Sequence, residues 1–193
     1  MSYRVLDLGI VDFLKTYRIQ KQLVEELKSN EGRETLIFCE HNPVFTLGRR
    51  ARLENILADS QTIEKRGIQV FLTDRGGDVT YHGPGQIILY PILNLKRHRR
   101  DILWYLRKLE QTTIDLLAGY GIDAYRHEGF TGVWVDGKKI ASVGIGISSW
   151  ITYHGLALNV NTDLTYFSMI RPCNLDVEMT SMSEILEKNL VKV

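Results

Sequence analysis

The spacing of apolar residues and of capping residues predicts three helices. Asp12 is predicted to cap the first, which runs to about Lys28 with an apolar stripe at positions 23, 24 and 27. Asp101 begins the longest helix, which stops at Gly121, where a positive φ suits glycine. A last short helix begins at 180–181. Further helical stretches are expected at 53–66 and 163–169.

Apolar runs between these helices predict strands at 35–39, 68–73, 86–94 and 154–160. In TGVWVDGKKIASVGI (131–145), Asp136 and Gly137 form a two-residue turn between alternating runs, which is a strong β-hairpin signal. Residues 41–50 are expected to form a loop, with a proline and a glycine as breakers. Hairpins without repeated strand–helix crossovers predict an α+β (α/β) fold, with a mixed, largely antiparallel sheet flanked by helices.

Composition narrows the class of protein. The 193 residues suit a single domain spanning 1–193, and 44% hydrophobic residues are enough for an ordinary core. A net charge of +1 argues against a strongly basic nucleic-acid binder, and no apolar run is long enough for a membrane span. The N-terminal segment carries charges within its apolar stretch, unlike a signal peptide. Two cysteines cannot form a disulfide framework, so reduced thiols and a cytoplasmic location are expected.

The most informative segment is RGGDVTYHGPGQ (75–86), which lies between two predicted strands. Gly76 and Gly77 allow backbone amides to approach a ligand, because no Cβ obstructs them. The segment 83–86 fits a type II turn. A purely structural loop and a ligand-binding loop both remain open on these residues, although binding residues concentrate on such loops.

Two residue types outside this loop are candidates for chemistry. Cys39 lies in the apolar run TLIFC and is expected to be a buried hydrophobic residue, whereas Cys173 lies in the polar, turn-like RPCN. If strict strand alternation holds, Lys139 shares a face with Ala141, Val143 and Ile145. A lysine on an apolar face needs a partner, and a thiolate is one option.

The histidines and the basic residues give weaker indications of function. The five histidines and two cysteines show no spacing typical of a metal site. Basic residues cluster at 49–52 and 96–100. They are interpreted either as solvated surface or as a docking site for an acidic partner, with Arg49, Arg50, Arg97, Arg99 and Arg100 as the candidates.

Four segments in this order resemble the lipoyl(octanoyl) transferases: RGGDVTYHGPGQ, GKKIASVGI, HGLALNV and RPCNL. The resemblance extends from HNPVFTLGR to the cysteine, which is most of the chain. It implies a fold shared with biotin protein ligases and lipoate–protein ligases. It also implies an acyl thioester on Cys173 with Lys139 beside it.

The same resemblance implies a set of acyl-binding positions. They are Arg75, Gly76, Gly77, Asp78, Val79, Thr80, Tyr81 and His82; Ser142, Val143 and Gly144; and Gly155, Leu156 and Ala157. Asp78 occupies a variable place in the motif and has no assigned role. Glycines 76, 77, 144 and 155 are expected to leave room for an octanoyl chain.

The implied donor is octanoyl-acyl carrier protein. The implied acceptors are the lipoyl domains of 2-oxoacid dehydrogenase E2 subunits and the glycine cleavage H protein, with no metal or other cofactor. Two alternatives remain: an ATP-dependent lipoate or biotin protein ligase, and a carrier-domain binding module without catalysis. A ligase needs a phosphate-binding loop, and the only segment that resembles one, weakly, is Gly48-Arg49-Arg50. A binding module leaves the combination of Lys139, Cys173 and the glycine-rich loop unexplained.

Overall fold

A six-stranded mixed sheet is the platform of the molecule. The computed structural model describes residues 3–171 and 177–187, and Cys173 lies outside them. The strands of this sheet are β1 (Arg4–Val11), β2 (Thr35–His41), β6 (Gln86–Ile92), β7 (Val133–Val135), β8 (Lys138–Ser148) and β9 (Ile151–Asn159). The strand order is β1-β2-β6-β9-β8-β7, with β1 parallel to β2 and the other neighbours antiparallel, which confirms the predicted mixed sheet.

A second sheet of three short strands was not predicted as such. It has the order β4-β3-β5, formed by β3 (Val44–Leu47), β4 (Gln69–Leu72) and β5 (Val79–His82). The expected loop at 41–50 is therefore wrong, and part of the glycine-rich segment is a strand. Each of these strands has only four residues, and β3 pairs with β4 in parallel and β5 antiparallel. Their pairing is set by partners distant in sequence, which local patterns do not reveal.

Helices cover both faces of the main sheet. α1 (Phe13–Lys28) buries Leu23, Val24 and Leu27 against one face, as predicted. α3 (Ile102–Ala118) packs on the opposite face and is capped by Asp101, whose carboxylate accepts the Trp104 N–H. It ends at Ala118, before the predicted Gly121. The other helices are α2 (Ser60–Lys65) and α4 (Met182–Ile185), with 3-10 turns at Leu53–Asn55, Leu95–Arg97 and Leu164–Met169.

Asp12 precedes α1 without capping it. Its side chain accepts a hydrogen bond from Asn42 instead, so the predicted helix start is right and its predicted capping interaction is wrong. Within the described residues, no helix is long and apolar enough to cross a membrane.

A β-bulge in the β7–β8 hairpin changes the orientation of Lys139. The predicted turn is confirmed, with positive φ at both Asp136 and Gly137. Val133 pairs with Ala141, whereas its neighbour Trp134 pairs with Lys139, so β8 contains one extra residue.

Because neighbouring residues of β7 face opposite sides, their partners Lys139 and Ala141 also face opposite sides. The expectation that Lys139 shares a face with Ala141, Val143 and Ile145 is therefore wrong. Those three pack toward α3, and Lys139 lies on the other face, with Ser142 and Gly144.

Candidate active site

A cavity of about 500 Å³ lies between the two sheets, and nearly all the sequence-predicted residues line it. This volume is within the range of small-molecule sites, roughly 300–1,000 Å³. The candidates on its walls are Arg75, Gly76, Gly77, Asp78, Val79, Thr80, His82, Lys139, Ser142, Val143, Gly144, Gly155, Leu156 and Ala157.

Among the acyl-binding candidates that the structure describes, Tyr81 alone does not line the cavity. Its ring is 1% exposed and stacks on Tyr166 at a centroid distance of 4.6 Å, with Phe167 and Phe45 edge-on. It therefore packs in the core beside the small sheet.

Arg75 holds the glycine-rich loop in shape. Its guanidinium is buried and donates to the Thr46 carbonyl (2.6 Å), the Thr46 hydroxyl (3.0 and 3.2 Å) and the Gly76 carbonyl (3.0 Å). The Gly76 N–H donates to the Ile145 carbonyl at 2.8 Å, which joins the loop to β8. The loop is consequently pre-formed between β3 and β8.

Asp78 also has a structural role, because it connects the loop to a neighbouring turn. Its carboxylate accepts from the Asn55 amide at 2.7 Å and from the Val79 N–H at 2.6 Å. These contacts connect the loop to the 3-10 turn at Leu53–Asn55.

Gly144 and Gly155 are required for backbone packing rather than for an open slot. A Cβ on Gly155 would overlap the Leu89 carbonyl of the neighbouring strand, and one on Gly144 would lie 3.1 Å from the Gly76 carbonyl. Gly144 therefore allows the glycine-rich loop to approach β8, and Gly155 allows the β6 and β9 backbones to approach each other within the main sheet.

The inner end of the cavity is closed by buried aromatic and histidine side chains. Phe13, Tyr90, His82 and His154 line it and are each less than 10% exposed. His82 Nδ1 lies 2.7 Å from Gln86 Oε1, so Nδ1 donates and Nε2 is unprotonated. Nε2 has no hydrogen-bond partner among the residues described. Burial lowers the pKa of His82 to about 3, which keeps the ring neutral.

His154 is held in an unusual backbone conformation. Its φ is +56°, in the left-handed region, although it lies within β9. Its backbone N–H donates to Gln20 Oε1 at 2.7 Å, and Nε2 lies 3.1 Å from Asp74 Oδ1. Burial lowers the pKa of His154, and the Asp74 carboxylate partly opposes that effect.

Asp74, just before the glycine-rich loop, accepts hydrogen bonds from three side chains on two elements, α1 and β9. It accepts from Lys21 Nζ (2.8 Å), the Tyr153 hydroxyl (2.8 Å) and His154 Nε2. Burial alone would raise the pKa of Asp74, but these hydrogen bonds outweigh it and hold the pKa well below its usual range. Sequence reasoning missed this cluster; its one local signal was the position of His154 at the start of HGLALNV.

The outer end carries Lys139. Its ammonium lies 4.9 Å from the centroid of the Trp134 ring, and Phe130 and Thr131 line the cavity beside it. The Lys139 N–H donates to the Glu178 carbonyl at 2.8 Å, so the segment that resumes at Val177 runs along this strand. Val177 also lines the cavity.

Cys39 is buried as expected. Its Sγ lies 3.8 Å from His41 Nε2, and burial raises the pKa of the thiol to about 12. Such a thiol is almost wholly protonated at neutral pH and is a poor nucleophile.

The two basic clusters are exposed, and one of them reaches the cavity. Arg50 lines the cavity mouth, and the exposed Arg49 donates from Nε to the Asp74 carbonyl at 2.7 Å. In the second cluster, Arg99 pairs with Asp101 at 2.9 Å, and Arg97 and Arg100 are exposed. No group of three metal-ligating side chains is present in the part of the chain that the structure describes.

Comparison with known proteins identifies close relatives. Residues 12–191 match the family described as the lipoyl protein ligase A/B catalytic domain. An octanoyltransferase of Solibacter usitatus is 49% identical over 178 residues, covering 92% of this chain and 81% of that protein. One of Caldicellulosiruptor saccharolyticus is 46% identical over 189 residues, covering 96% of this chain and 80% of that protein.

Solved structures share the fold at low sequence identity. A lipoate-protein ligase A bound with ATP has a TM-score of 0.75 at 18% identity, covering 100% of this chain and 80% of that chain. The biotin protein ligase of Aquifex aeolicus has a TM-score of 0.53 at 16% identity, covering 99% of this chain and 62% of that one. The predicted fold relationship to both kinds of ligase is confirmed.

Proposed function

Because the chain belongs to the lipoyl protein ligase A/B catalytic domain family and is an acyltransferase related to octanoyltransferases, we propose the following reaction for it. It moves an octanoyl group from octanoyl-acyl carrier protein, through a thioester on Cys173, to the lysine of a lipoyl domain. The acceptors are the lipoyl domains of 2-oxoacid dehydrogenase E2 subunits and the glycine cleavage H protein.

The orientation of Lys139 is the observation that carries this proposal. The bulge in β8 turns its side chain onto the cavity face, beside the segment that resumes four residues after Cys173. An ammonium in that place stabilises a thiolate and so activates the cysteine. The remaining roles, including the acyl-binding positions Arg75–His82, Ser142–Gly144 and Gly155–Ala157, are proposed with it.

The proposed reaction balances without ATP. The Cys173 thiolate attacks the donor thioester carbonyl, and the new C–S bond forms as the bond to the carrier sulfur breaks. The carrier thiolate leaves as a thiol by taking the proton of the Lys139 ammonium, which leaves Lys139 neutral. The acceptor lysine amine then attacks the enzyme thioester, which forms an amide and releases the Cys173 thiolate. In its neutral form Lys139 takes the proton lost by the amine.

The cavity suits the hydrocarbon part of the substrate. Its inner wall consists of neutral imidazoles and aromatic rings, and Phe13, Leu156 and Ala157 contribute apolar surface. Burying the six methylenes of an octanoyl chain contributes about 5 kcal/mol, at roughly 0.8 kcal/mol for each.

A carrier protein would dock at the cavity mouth, where Arg50 is exposed. Such surface charges mainly raise the rate of association, and salt screens them. Arg49, Arg97, Arg99 and Arg100 are proposed to contribute to the same attraction.

Mass spectrometry of the enzyme and of a lipoyl domain tests the reaction. Octanoyl-acyl carrier protein is added without ATP to the wild type, Cys173→Ser and the matched control Cys39→Ser. We expect a thioester adduct and an octanoylated lipoyl domain with the wild type and Cys39→Ser, and neither with Cys173→Ser. Equal loss in both variants, or transfer only with ATP, would reject the mechanism.

A further inference from the structure

Gly132 presses against the side chain of Lys139. Its φ is +130°, a conformation that an L side chain rarely adopts. A Cβ built on Gly132 would lie 2.6 Å from Lys139 Cε, 3.2 Å from Lys139 Nζ and 2.5 Å from the Ala141 carbonyl oxygen. The backbone at this position therefore forms one wall against the lysine side chain, and only glycine fits.

The position of Gly132 is set from outside the cavity by Glu110. This carboxylate, on α3, is 1% exposed and accepts the Gly132 N–H at 3.0 Å through Oε1. Its other oxygen accepts from Arg107 Nη1 at 2.8 Å and Arg126 Nε at 3.1 Å. A buried carboxylate paired with two guanidiniums is a rigid anchor, since breaking it leaves an uncompensated charge.

Trp134 forms a second wall. It pairs with Lys139 across the hairpin, is 3% exposed, and has the ammonium 4.9 Å from its ring centroid. A cation over the face of an indole ring is attracted by the ring quadrupole. The lysine side chain is thus confined between backbone at Gly132 and the indole.

We propose that Glu110, through Gly132, and Trp134 are positioning residues that hold the Lys139 ammonium in its place on the cavity wall. The inference rests on the proposed function, because it concerns where Lys139 must be for acyl transfer. Glu110 touches neither substrate nor the reacting atoms in this scheme; it acts through the N–H of Gly132.

Steady-state transfer kinetics test the wall at Gly132. Gly132→Ala is compared with Gly121→Ala, which has a positive φ of +74° but no atom within 4 Å of its Cβ. We expect kcat to fall on the order of 100-fold in Gly132→Ala, as for a misplacement of about 1 Å, with KM for the donor unchanged. Gly121→Ala should keep the wild-type kcat. Wild-type kcat in Gly132→Ala, or an equal loss in both variants, would overturn the proposal.

If Gly132→Ala does not fold, pairs of variants at Glu110 and at Trp134 test the same proposal. Glu110→Gln retains an oxygen acceptor for the Gly132 N–H, and Trp134→Phe retains an aromatic face, whereas Glu110→Ala and Trp134→Leu retain neither. We expect the conservative member of each pair to recover most of kcat among variants that remain folded by circular dichroism. Equal kcat within each pair would reject the positioning roles.

An NMR readout separates this inference from the proposed function. The Lys139 side chain lies near the face of the Trp134 ring, so its terminal methylene protons should be shifted upfield by the ring current. The shift should persist in the wild type and Glu110→Gln and be lost in Glu110→Ala. If the wild type transfers no octanoyl group but shows this pattern, the function is wrong and the positioning is right. No difference between the two Glu110 variants would show the positioning to be wrong.

Discussion

Two buried histidines should make the fold sensitive to mild acid. His41 is fully buried; its Nδ1 donates to the Val11 carbonyl at 2.8 Å, and its Nε2 accepts from the Tyr90 hydroxyl at 2.9 Å. His82 lies with its ring centroid 6.0 Å away and donates to Gln86. Burial lowers the pKa of His41 to about 4 and that of His82 to about 3.

The sign and size of the effect follow from proton linkage. In the unfolded chain both histidines bind protons below about pH 6.5, whereas in the folded protein they stay neutral until about pH 4 and pH 3. Because the unfolded state binds more protons, the free energy of unfolding falls as pH drops below about 6.5. At pH 5 each histidine lies about 1.5 pH units below its unfolded pKa, so each costs roughly 2 kcal/mol and both about 4 kcal/mol.

Urea unfolding at pH 7 and pH 5 measures this loss. With an m-value of about 2 kcal/mol/M, the midpoint should move by about 2 M. His41→Gln and His82→Gln should each reduce the difference between the two pH values by about 2 kcal/mol, whatever their stability at pH 7. His127→Gln, at an exposed position, should leave the difference unchanged. A wild-type pH dependence in both buried-histidine variants would refute the assignment of neutral, buried imidazoles to His41 and His82.

Three further predictions follow from the site. Lys139→Ala should slow alkylation of Cys173 by iodoacetamide near neutral pH and abolish octanoyl transfer. Lys139→Arg should restore part of the alkylation rate but no transfer, because guanidinium cannot give up its proton. An alkylation profile of Lys139→Ala that overlays that of the wild type would contradict this prediction. Reversing the charge of Arg50 should raise KM for octanoyl-acyl carrier protein at low salt, and an unchanged KM would exclude docking at this rim. Gly155→Ala should cost about 1–3 kcal/mol by forcing β6 and β9 apart, seen as a lower melting temperature, and wild-type stability would show that the strands tolerate a Cβ there.

Local patterns predicted the elements whose determinants are neighbours in sequence. The Asp136-Gly137 turn follows from residues that tolerate positive φ, and α1 follows from an apolar stripe at helical spacing. The glycine-rich loop and the order of the four motifs pointed to the family and to residues that line one cavity. Predicting these features requires little knowledge of which residues distant in sequence are in contact.

Tertiary structure alone decided the orientation of Lys139, the second sheet and the closed end of the cavity. Alternation predicted the wrong face for Lys139, because the extra residue at Ile140 is set by the register between β7 and β8. β3 forms only because it pairs with β4 and β5, and His154 meets Asp74 across 80 positions of sequence. Register and long-range contact depend on how whole strands and faces pack together, so the residues concerned carry no local sign of them.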